Sequence, residues 1–295
     1  MPATPPEFWG IVRRMSLPSA PLEAAVFQLN AQQELDDNLA TIRRLADRAK
    51  GARLFALPEG CLFMGDVDRK RASSEPAPKL GEVPAEGRGL QALSALAREH
   101  RAWVCAGGVG LLSEDPLRPR NAHVVFDDAG KVAAIYRKIH LFDVDLADGT
   151  SHRESDSTLA GDPREDVVTI DVDGFRIGLS ICYDVRFPEH YRRLVDRGAH
   201  ALLVPAAFTV PTGKDHWHVL MRARAIESQC WLLAPAQWGR HPGNRFTYGK
   251  SLAADPWGDV VAQVSDGVGV ARVTLDPQRL EDVRAQLPSL RHRRG

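Results

Sequence analysis

The 295-residue chain lacks several features that mark common classes of protein. It carries no surplus of charge, because 38 basic residues balance 38 acidic ones, so nothing indicates a nucleic-acid partner or an anionic membrane. No apolar run approaches the length of a membrane span, and no signal-peptide pattern opens the chain. Glycine fingerprints that bind phosphate, GxGxxG or the P-loop pattern, do not occur. The sequence therefore gives no support for nucleic-acid binding, membrane insertion or nucleotide binding.

Cysteine is scarce and scattered. The four cysteines are Cys61, Cys105, Cys182 and Cys230, and no two of them form a CxxC pair. This spacing favours reduced thiols over a disulfide framework or a zinc site, so we expect a cytoplasmic protein that holds no metal.

Strand and helix patterns alternate along most of the chain. Strands are predicted at 24–29, 54–57, 103–106, 123–126, 132–136, 167–172, 175–181, 201–204, 231–236, 251–254, 260–264 and 268–273. Helices are predicted at 37–50, around 90–97, and at 189–196, 215–228 and 277–286. Turns such as Asp173-Gly174 form hairpins between crossover helices, which implies mixed β-sheets covered by helices, an α/β fold.

No repeat or low-complexity linker divides the chain. We expect a proline-rich leader at 1–20, in which Met15 is a candidate start, then one domain at 21–287 and a solvated basic tail at 288–295. Three long irregular segments are predicted at 66–87, 143–166 and 238–248, and such loops are commonly functional or mobile.

Cys182 is predicted to follow a buried strand and to precede a helix that has Pro188 in its first turn and Gly198 at its end. A thiol at such a junction lies near helix amides and cations that favour the thiolate, which suits a nucleophile. The alternative is a cysteine that only fills the core.

Glu59 and Lys138 also follow predicted strands. Each alone is typical of a solvated strand end. A cysteine nucleophile, however, needs a base and a donor for the developing oxyanion. The histidines, at 216, 218 and 241 among others, show no pattern that would make one of them the base.

The segments LPEG, YRKIHLFD and CYDVRFPE contain Glu59, Lys138 and Cys182, in that order. Together they resemble the three signatures of the nitrilase (carbon–nitrogen hydrolase) superfamily. The resemblance covers 23–287 and includes RESDST, AAFTVPTGKDHW, RARAIESQCW and DPWG. It implies a four-layer αββα sandwich of two mixed sheets.

The resemblance also implies a reaction. Glu59 would be the general base for attack by Cys182 on an amide, and Lys138 with the backbone N–H of Tyr183 would bind the oxyanion. A thioester would then be hydrolysed to a carboxylate after ammonia has left. Glu154 in RESDST matches a second glutamate that positions the lysine and the substrate. No metal or organic cofactor is required.

Several segments resemble the deaminated glutathione amidase branch, which acts on omega-amides of 2-oxo acids: CYDVRFPE, AQWGRH, DPWGDVVAQ and LPSLRHRR. The alternatives are a 2-oxoglutaramate omega-amidase, an N-carbamoyl amino acid hydrolase or a nitrilase. Two hypotheses come from other functional classes: a binding scaffold of the same fold without catalytic activity, and a thiol-redox protein. Arg186 is a candidate clamp for a substrate carboxylate, or else half of a structural ion pair.

The sequence departs from the family pattern at His218 and at Ala147-Asp148, neither of which touches the predicted triad. Members of the superfamily associate through helical faces, so the resemblance implies a homodimer or a larger homo-oligomer acting on a small-molecule amide.

Overall fold

The computed structural model describes residues 17–145 and 151–294. The strands are β1 Leu22–Leu29, β2 Leu54–Leu57, β3 Trp103–Leu111, β4 Arg120–Phe126, β5 Val132–Arg137, β6 Asp143–Asp145, β7 Ser151–Arg153, β8 Thr169–Val172, β9 Phe175–Leu179, β10 Ala201–Leu203, β11 Trp231–Ala234, β12 Ala236–His241, β13 Arg245–Tyr248, β14 Leu252–Ala254, β15 Val260–Gln263 and β16 Gly269–Leu275. The helices are α1 Leu35–Arg48, α2 Val67–Ala72, α3 Arg88–His100, α4 Pro188–Asp196, α5 Val210–Ser228 and α6 Pro277–Gln286.

Two large mixed sheets form the centre of the molecule. The first has the order β13-β12-β1-β2-β3-β4-β5, with β16 also paired to β1. Its strands β1, β2 and β3 are parallel, whereas β3, β4 and β5 form an antiparallel meander. The second has the order β15-β14-β11-β10-β9-β8, with a parallel centre and antiparallel hairpins at both edges.

The core divides into layers because strand side chains alternate between the two faces of a sheet. In β2, Phe55 and Leu57 pack outward against α1 and α3, while Leu54 and Ala56 point toward the second sheet. A third cluster lies between the second sheet and helices α4 and α5. The predicted four-layer αββα sandwich is therefore confirmed.

The turn after β9 sets the direction of Cys182. Cys182 begins a short 3₁₀ helix with φ of +48°, a conformation that side-chain-bearing residues rarely adopt, and its N–H donates to Pro205 O at 2.8 Å. Helix α4 then starts at Pro188, whose fixed φ suits a first helical turn, and Gly198 follows its end with φ of +94°. The predicted strand–turn–helix junction is confirmed.

The predicted irregular segments contain more regular structure than the sequence indicated. Segment 66–87 includes α2, segment 143–166 includes the β6–β7 hairpin, and segment 238–248 contains most of the β12–β13 hairpin. Helix α5 starts at Val210, five residues before the predicted start, because Pro211 lies in the first turn, where its missing N–H needs no partner.

The described residues nearest to each end of the chain contact the domain. Residues 1–16, including Met15, lie outside the described residues, but Leu17 packs against the core between the sheets. In the predicted tail, Leu290 packs against the outer core of the second sheet, and Arg293 pairs with Asp196. The tail is therefore less free than predicted. No helix in the described part of the chain is long and apolar enough to cross a membrane.

Candidate active site

Glu59, Lys138 and Cys182 meet at one edge of the sandwich. Glu59 lies two residues beyond β2 and Lys138 directly beyond β5, both in the first sheet. Cys182 lies three residues beyond β9 in the second sheet. All three side chains line one cavity of about 400 Å³, so the sandwich brings together residues that are far apart in the sequence.

The Lys138 ammonium lies between two carboxylates. Its Nζ is 3.0 Å from Glu59 Oε1, and 2.8 and 3.1 Å from the two oxygens of Glu154. All three residues are buried. Burial alone would lower the pKa of Lys138, but Glu154 and Glu59 raise it above its usual value, so the lysine stays charged.

Glu154 is held as a carboxylate. Burial alone would raise its pKa, but the Lys138 and Lys70 ammonium groups outweigh burial and hold the pKa at about 2. The backbone N–H of Phe142 donates to Glu154 Oε2 at 2.8 Å. Glu154 thus gives Lys138 a second carboxylate partner beside Glu59.

Asn121, on β4, bridges the two glutamates. Its Nδ2 donates to Glu59 Oε1 at 3.0 Å and to Glu154 Oε1 at 3.1 Å. This contact holds the two carboxyl groups at a set separation.

The backbone around Glu59 leaves little room for its side chain to move. Ala207 N–H donates to Glu59 Oε2 at 3.1 Å, and Gln237 Nε2 donates to the carbonyl of Glu59 at 3.0 Å. A Cβ atom on Gly108, whose φ is +64°, would lie 2.6 Å from Glu59 Cγ. Glycine at 108 therefore allows the close approach of β3 to the carboxylate.

The thiol of Cys182 is half-buried and contacts Glu59 and the Ala207 N–H. Burial raises the pKa of Cys182 well above its usual value, and Glu59 raises it further, while Lys138 acts in the opposite direction without prevailing. Lys138 favours the thiolate as expected, but burial and the Glu59 carboxylate outweigh it. The resting group is a thiol next to a base.

Tyr183 and Asp184 complete the turn. The N–H of Tyr183 has no hydrogen-bond acceptor among the described residues, and Tyr183 lines the cavity. Asp184 is fully buried and accepts from Ile181 N–H, Tyr136 Oη, His140 N–H and His140 Nδ1. Asp184 thereby joins the Cys182 turn to the segment that follows Lys138.

Arg186 lines the same cavity and has no carboxylate partner in the described residues. Its guanidinium lies 5.9 Å from the Tyr183 ring centre and 5.5 Å from that of Phe208, and Nη2 is 3.3 Å from His216 Nδ1. The described residues therefore give no support to the alternative of a structural ion pair. These contacts hold a cation on the wall of the cavity.

The three long segments all contribute to the cavity wall. They supply Lys70, Glu75 and Pro76 from the first, His152 and Ser157 from the second, and Arg245 from the third. His216 and His218 do not converge, because His218 contacts Gln263 instead. No metal-binding cluster is present among residues 17–145 and 151–294. Ala147-Asp148 lies outside the described residues.

The carbon-nitrogen hydrolase family model matches residues 23–285. The chain belongs to this family. It is therefore a hydrolase that acts on carbon–nitrogen bonds, and the predicted superfamily is confirmed.

Relatives of the chain agree with this placement. A deaminated glutathione amidase of Synechocystis sp. (strain PCC 6803 / GT-S) is 40% identical over 276 residues, which cover 92% of this chain and 98% of that protein. A deaminated glutathione amidase of Bos taurus is 40% identical over 296 aligned residues, which cover 98% of this chain and 87% of that protein. The crystal structure of Saccharomyces cerevisiae Nit3, a member of branch 10 of the nitrilase superfamily, is 29% identical, with a TM-score of 0.82 over 92% of this chain and 96% of that one.

Several residues at the site were not predicted from the sequence. Asn121, Asp184 and Gln237 are buried polar residues that hold the glutamates and the nucleophile turn. Lys70 and Arg245 line the cavity from the segments predicted as irregular. Asp184 stands inside the CYDVRFPE motif, where a charge so close to a buried strand was the available signal. The partners of the others are 33 or more residues away, so sequence spacing gave none.

Proposed function

We propose that the chain is a cysteine-dependent amidase that uses Glu59, Lys138, Cys182 and Glu154. The observation that carries this proposal is the Lys138 ammonium held 3.0 Å from Glu59 and 2.8 Å from Glu154 in the cavity that Cys182 lines. The cavity thus holds a base, an ammonium group stabilised by carboxylates, and a nucleophilic thiol. These are the components of acyl transfer.

The reaction begins when Cys182 Sγ attacks the amide carbon and Glu59 takes the thiol proton. The oxyanion of the tetrahedral intermediate lies between the Lys138 ammonium and the N–H of Tyr183, which has no acceptor among the described residues. Glu59 then gives its proton to the leaving nitrogen as the carbon–nitrogen bond breaks. The acyl group remains on Cys182 as a thioester.

Hydrolysis of the thioester repeats these steps with water. Glu59 takes a proton from the water that attacks the acyl carbon, and the same donors bind the second oxyanion. The carbon–sulfur bond breaks, the carboxylic acid leaves, and Glu59 returns its proton to the sulfur. Glu154 stays ionised throughout because its pKa is about 2, so Lys138 remains charged without withdrawing Glu59 from its role as base.

The proposed substrate is an amide of the deaminated glutathione kind, an omega-amide of a 2-oxo acid. Identity of 40% to deaminated glutathione amidases over nearly the whole chain supports this choice. Arg186, on the turn that carries Cys182, is the proposed partner of the 2-oxo acid carboxylate. The expected release of ammonia applies to primary amides such as 2-oxoglutaramate, whereas deaminated glutathione would release the dipeptide cysteinylglycine.

Purified, reduced protein tests the proposal on four substrates: deaminated glutathione, 2-oxoglutaramate, an N-carbamoyl amino acid and a simple nitrile. We expect deaminated glutathione to be the preferred substrate. Mass spectrometry should detect its products, 2-oxoglutarate and cysteinylglycine. Cys182→Ser and Cys182→Ala should abolish turnover, and Cys105→Ser is a matched control. A higher kcat/KM for 2-oxoglutaramate or for the carbamoyl substrate would assign that activity instead. If the protein hydrolyses no amide, the amidase proposal is contradicted.

We also infer that the protein forms a homodimer or a larger homo-oligomer. Two apolar side chains of α5, Val219 and Ile226, are exposed and support this inference. Trp257 and Val261 are also exposed, and they flank Gly258, which contacts α5. Sedimentation of Val219→Glu should give a smaller species than the wild type. Leu117→Glu, which changes an exposed leucine elsewhere, is the control. A wild-type monomer would contradict the inference.

The proposed location is the cytoplasm. All four cysteines are free in the structure, which suits a reducing compartment. Fractionation of the source cells with an antibody to the chain is the test, and recovery from an oxidising compartment would contradict it.

A further inference from the structure

Two further cations, Lys70 and Arg245, line the cavity. Lys70, on α2, is half-buried, and its Nζ donates to Thr158 Oγ1 at 2.9 Å. Arg245, at the start of β13, is exposed at the cavity and donates from Nη2 to Ala207 O at 3.3 Å. Neither side chain has a carboxylate partner in the described residues. Arg88, on the same wall, pairs with Asp36.

The absence of a counter-charge has an electrostatic cost. Burial lowers the pKa of Lys70; Glu154 acts in the opposite direction, while Lys138 and Arg245 lower the pKa further. The pKa of His152 is also lowered, first by burial and then by Arg245, so this end of the cavity carries a positive potential. Glu154 and Glu59 offset part of this charge, but both are bound to Lys138, and neither forms an ion pair with Lys70 or Arg245 among the described residues. An anionic ligand group would relieve this repulsion.

The two sets of cations come from different elements of the fold. Arg186 belongs to the turn of Cys182, next to the acyl group that stays on the sulfur. Lys70 and Arg245 come from the segments 66–87 and 238–248, and Arg245 is solvent-exposed. A leaving group departs toward solvent, so its charged end is expected on the exposed side of the cavity.

We propose that Lys70 and Arg245 form a second anion subsite, which binds a carboxylate on the amine portion of the substrate. This inference rests on the proposed amidase function and deepens it. The enzyme would thus recognise omega-amides that carry a carboxylate at both ends, one on the 2-oxo acid and one on the leaving amine. A charge-assisted hydrogen bond to a carboxylate contributes enough binding energy to give about a tenfold preference.

The test compares deaminated glutathione with the same molecule amidated at its glycine carboxylate, which differs only in that charge. Wild-type enzyme should prefer the free acid about tenfold or more in kcat/KM. Lys70→Met and Arg245→Met should each reduce this preference through KM for the free acid. Lys79→Met and Arg240→Met, which change exposed cations in the same two segments, should retain it. Lys70→Arg, which keeps the charge, should retain most of it.

Three results would contradict the subsite, and they differ from one another. A wild-type enzyme that cleaves both forms with equal kcat/KM shows that no leaving-group carboxylate is recognised, while the amidase function stands. A kcat that falls equally for both forms in Lys70→Met, with KM unchanged, assigns Lys70 to the support of Glu154. Failure of the wild type to cleave either form or 2-oxoglutaramate removes the amidase function and the subsite with it.

Discussion

The hydroxyl of Tyr136 donates a 2.6 Å hydrogen bond to Asp184 Oδ2, and both residues are buried. Tyr136 lies two residues before Lys138 on β5, and Asp184 lies two residues after Cys182. The bond therefore joins the first sheet to the nucleophile turn of the second. His140 completes the connection, since its ring and its N–H both donate to Asp184 Oδ1 when the ring carries a proton on Nδ1.

Asp184→Asn should uncouple the two halves of the site. The substitution places an amide NH₂ among groups that all donate, so at least one buried donor loses its partner, at a cost of about 1–3 kcal/mol. We expect lower stability in urea and a kcat at least about tenfold lower, because 1.4 kcal/mol of misplacement corresponds to a factor of ten. Tyr136→Phe removes one donor only and should cost about 1 kcal/mol. Wild-type kcat in Asp184→Asn would contradict the positioning role.

Glu154 should make stability depend on pH in acid. Its pKa of about 2 lies below the ordinary 4.5, so between these values the unfolded chain binds more protons than the native one. Glu154 should therefore make its full contribution to the free energy of unfolding above about pH 4.5. That contribution, about 3 kcal/mol, should be lost as the pH falls toward 2. Urea unfolding at a series of pH values measures this loss.

Glu154→Gln supplies the comparison for that pH series. The variant should be less stable at pH 7 and should show a shallower fall between pH 4.5 and 2, because the group that titrates is absent. Glu99→Gln, at an exposed position on α3, should follow the wild-type curve. If wild type and Glu154→Gln lose the same free energy of unfolding between pH 4.5 and 2, Glu154 has no depressed pKa.

Glu59→Gln should have opposite effects on turnover and on thiol reactivity. Because the Glu59 carboxylate adds to the raised pKa of Cys182, its removal should lower that pKa and accelerate alkylation by iodoacetamide several-fold at pH 8. Turnover should fall by a factor on the order of 10² or more, since the general base is lost. Mass spectrometry of Cys182 and steady-state kinetics measure the two effects. Slower alkylation in the variant would contradict the assigned electrostatics.

Alkylation of the wild type does not separate an enzyme from a silent scaffold of the same fold. Cys61, Cys105 and Cys230 are buried, and burial raises the pKa of each thiol, to about 12 for Cys61. Cys182 alone among the four lines the cavity, so it should be labelled first in either case. The response to Glu59→Gln and the measured turnover discriminate between the two.

Gly108→Ala should displace Glu59. The new Cβ would lie 2.6 Å from Glu59 Cγ and 2.6 Å from Gly60 N, at a φ of +64° that alanine adopts with strain. We expect a stability loss of about 3 kcal/mol and a kcat at least about tenfold lower. Gly243→Ala is the matched control, because its φ is +74° with nothing within 4 Å, and it should cost only about 1 kcal/mol. Equal losses in the two variants would mean that the contact with Glu59 is unimportant.

Local pattern was sufficient for most of the fold. Residues 54–57 and 231–234 are continuous apolar runs and became strands buried on both faces, as in a layered sheet. The exceptions lie around the cavity, where α2 has no fully buried side chain and so has no apolar stripe to detect. The β12–β13 hairpin was read as irregular because it turns through Pro242 and Gly243 and pairs polar residues.

The sequence by itself determined the family, the layered fold and the identity of Glu59, Lys138, Cys182 and Glu154 as candidates, because motif order and strand ends are local properties. Only the tertiary structure decided how their charges are shared. Asn121 bridges the glutamates, Lys138 pairs with both of them, and burial keeps the Cys182 thiol protonated beside its base. These effects depend on distances and desolvation between residues up to 123 positions apart, which no local pattern records.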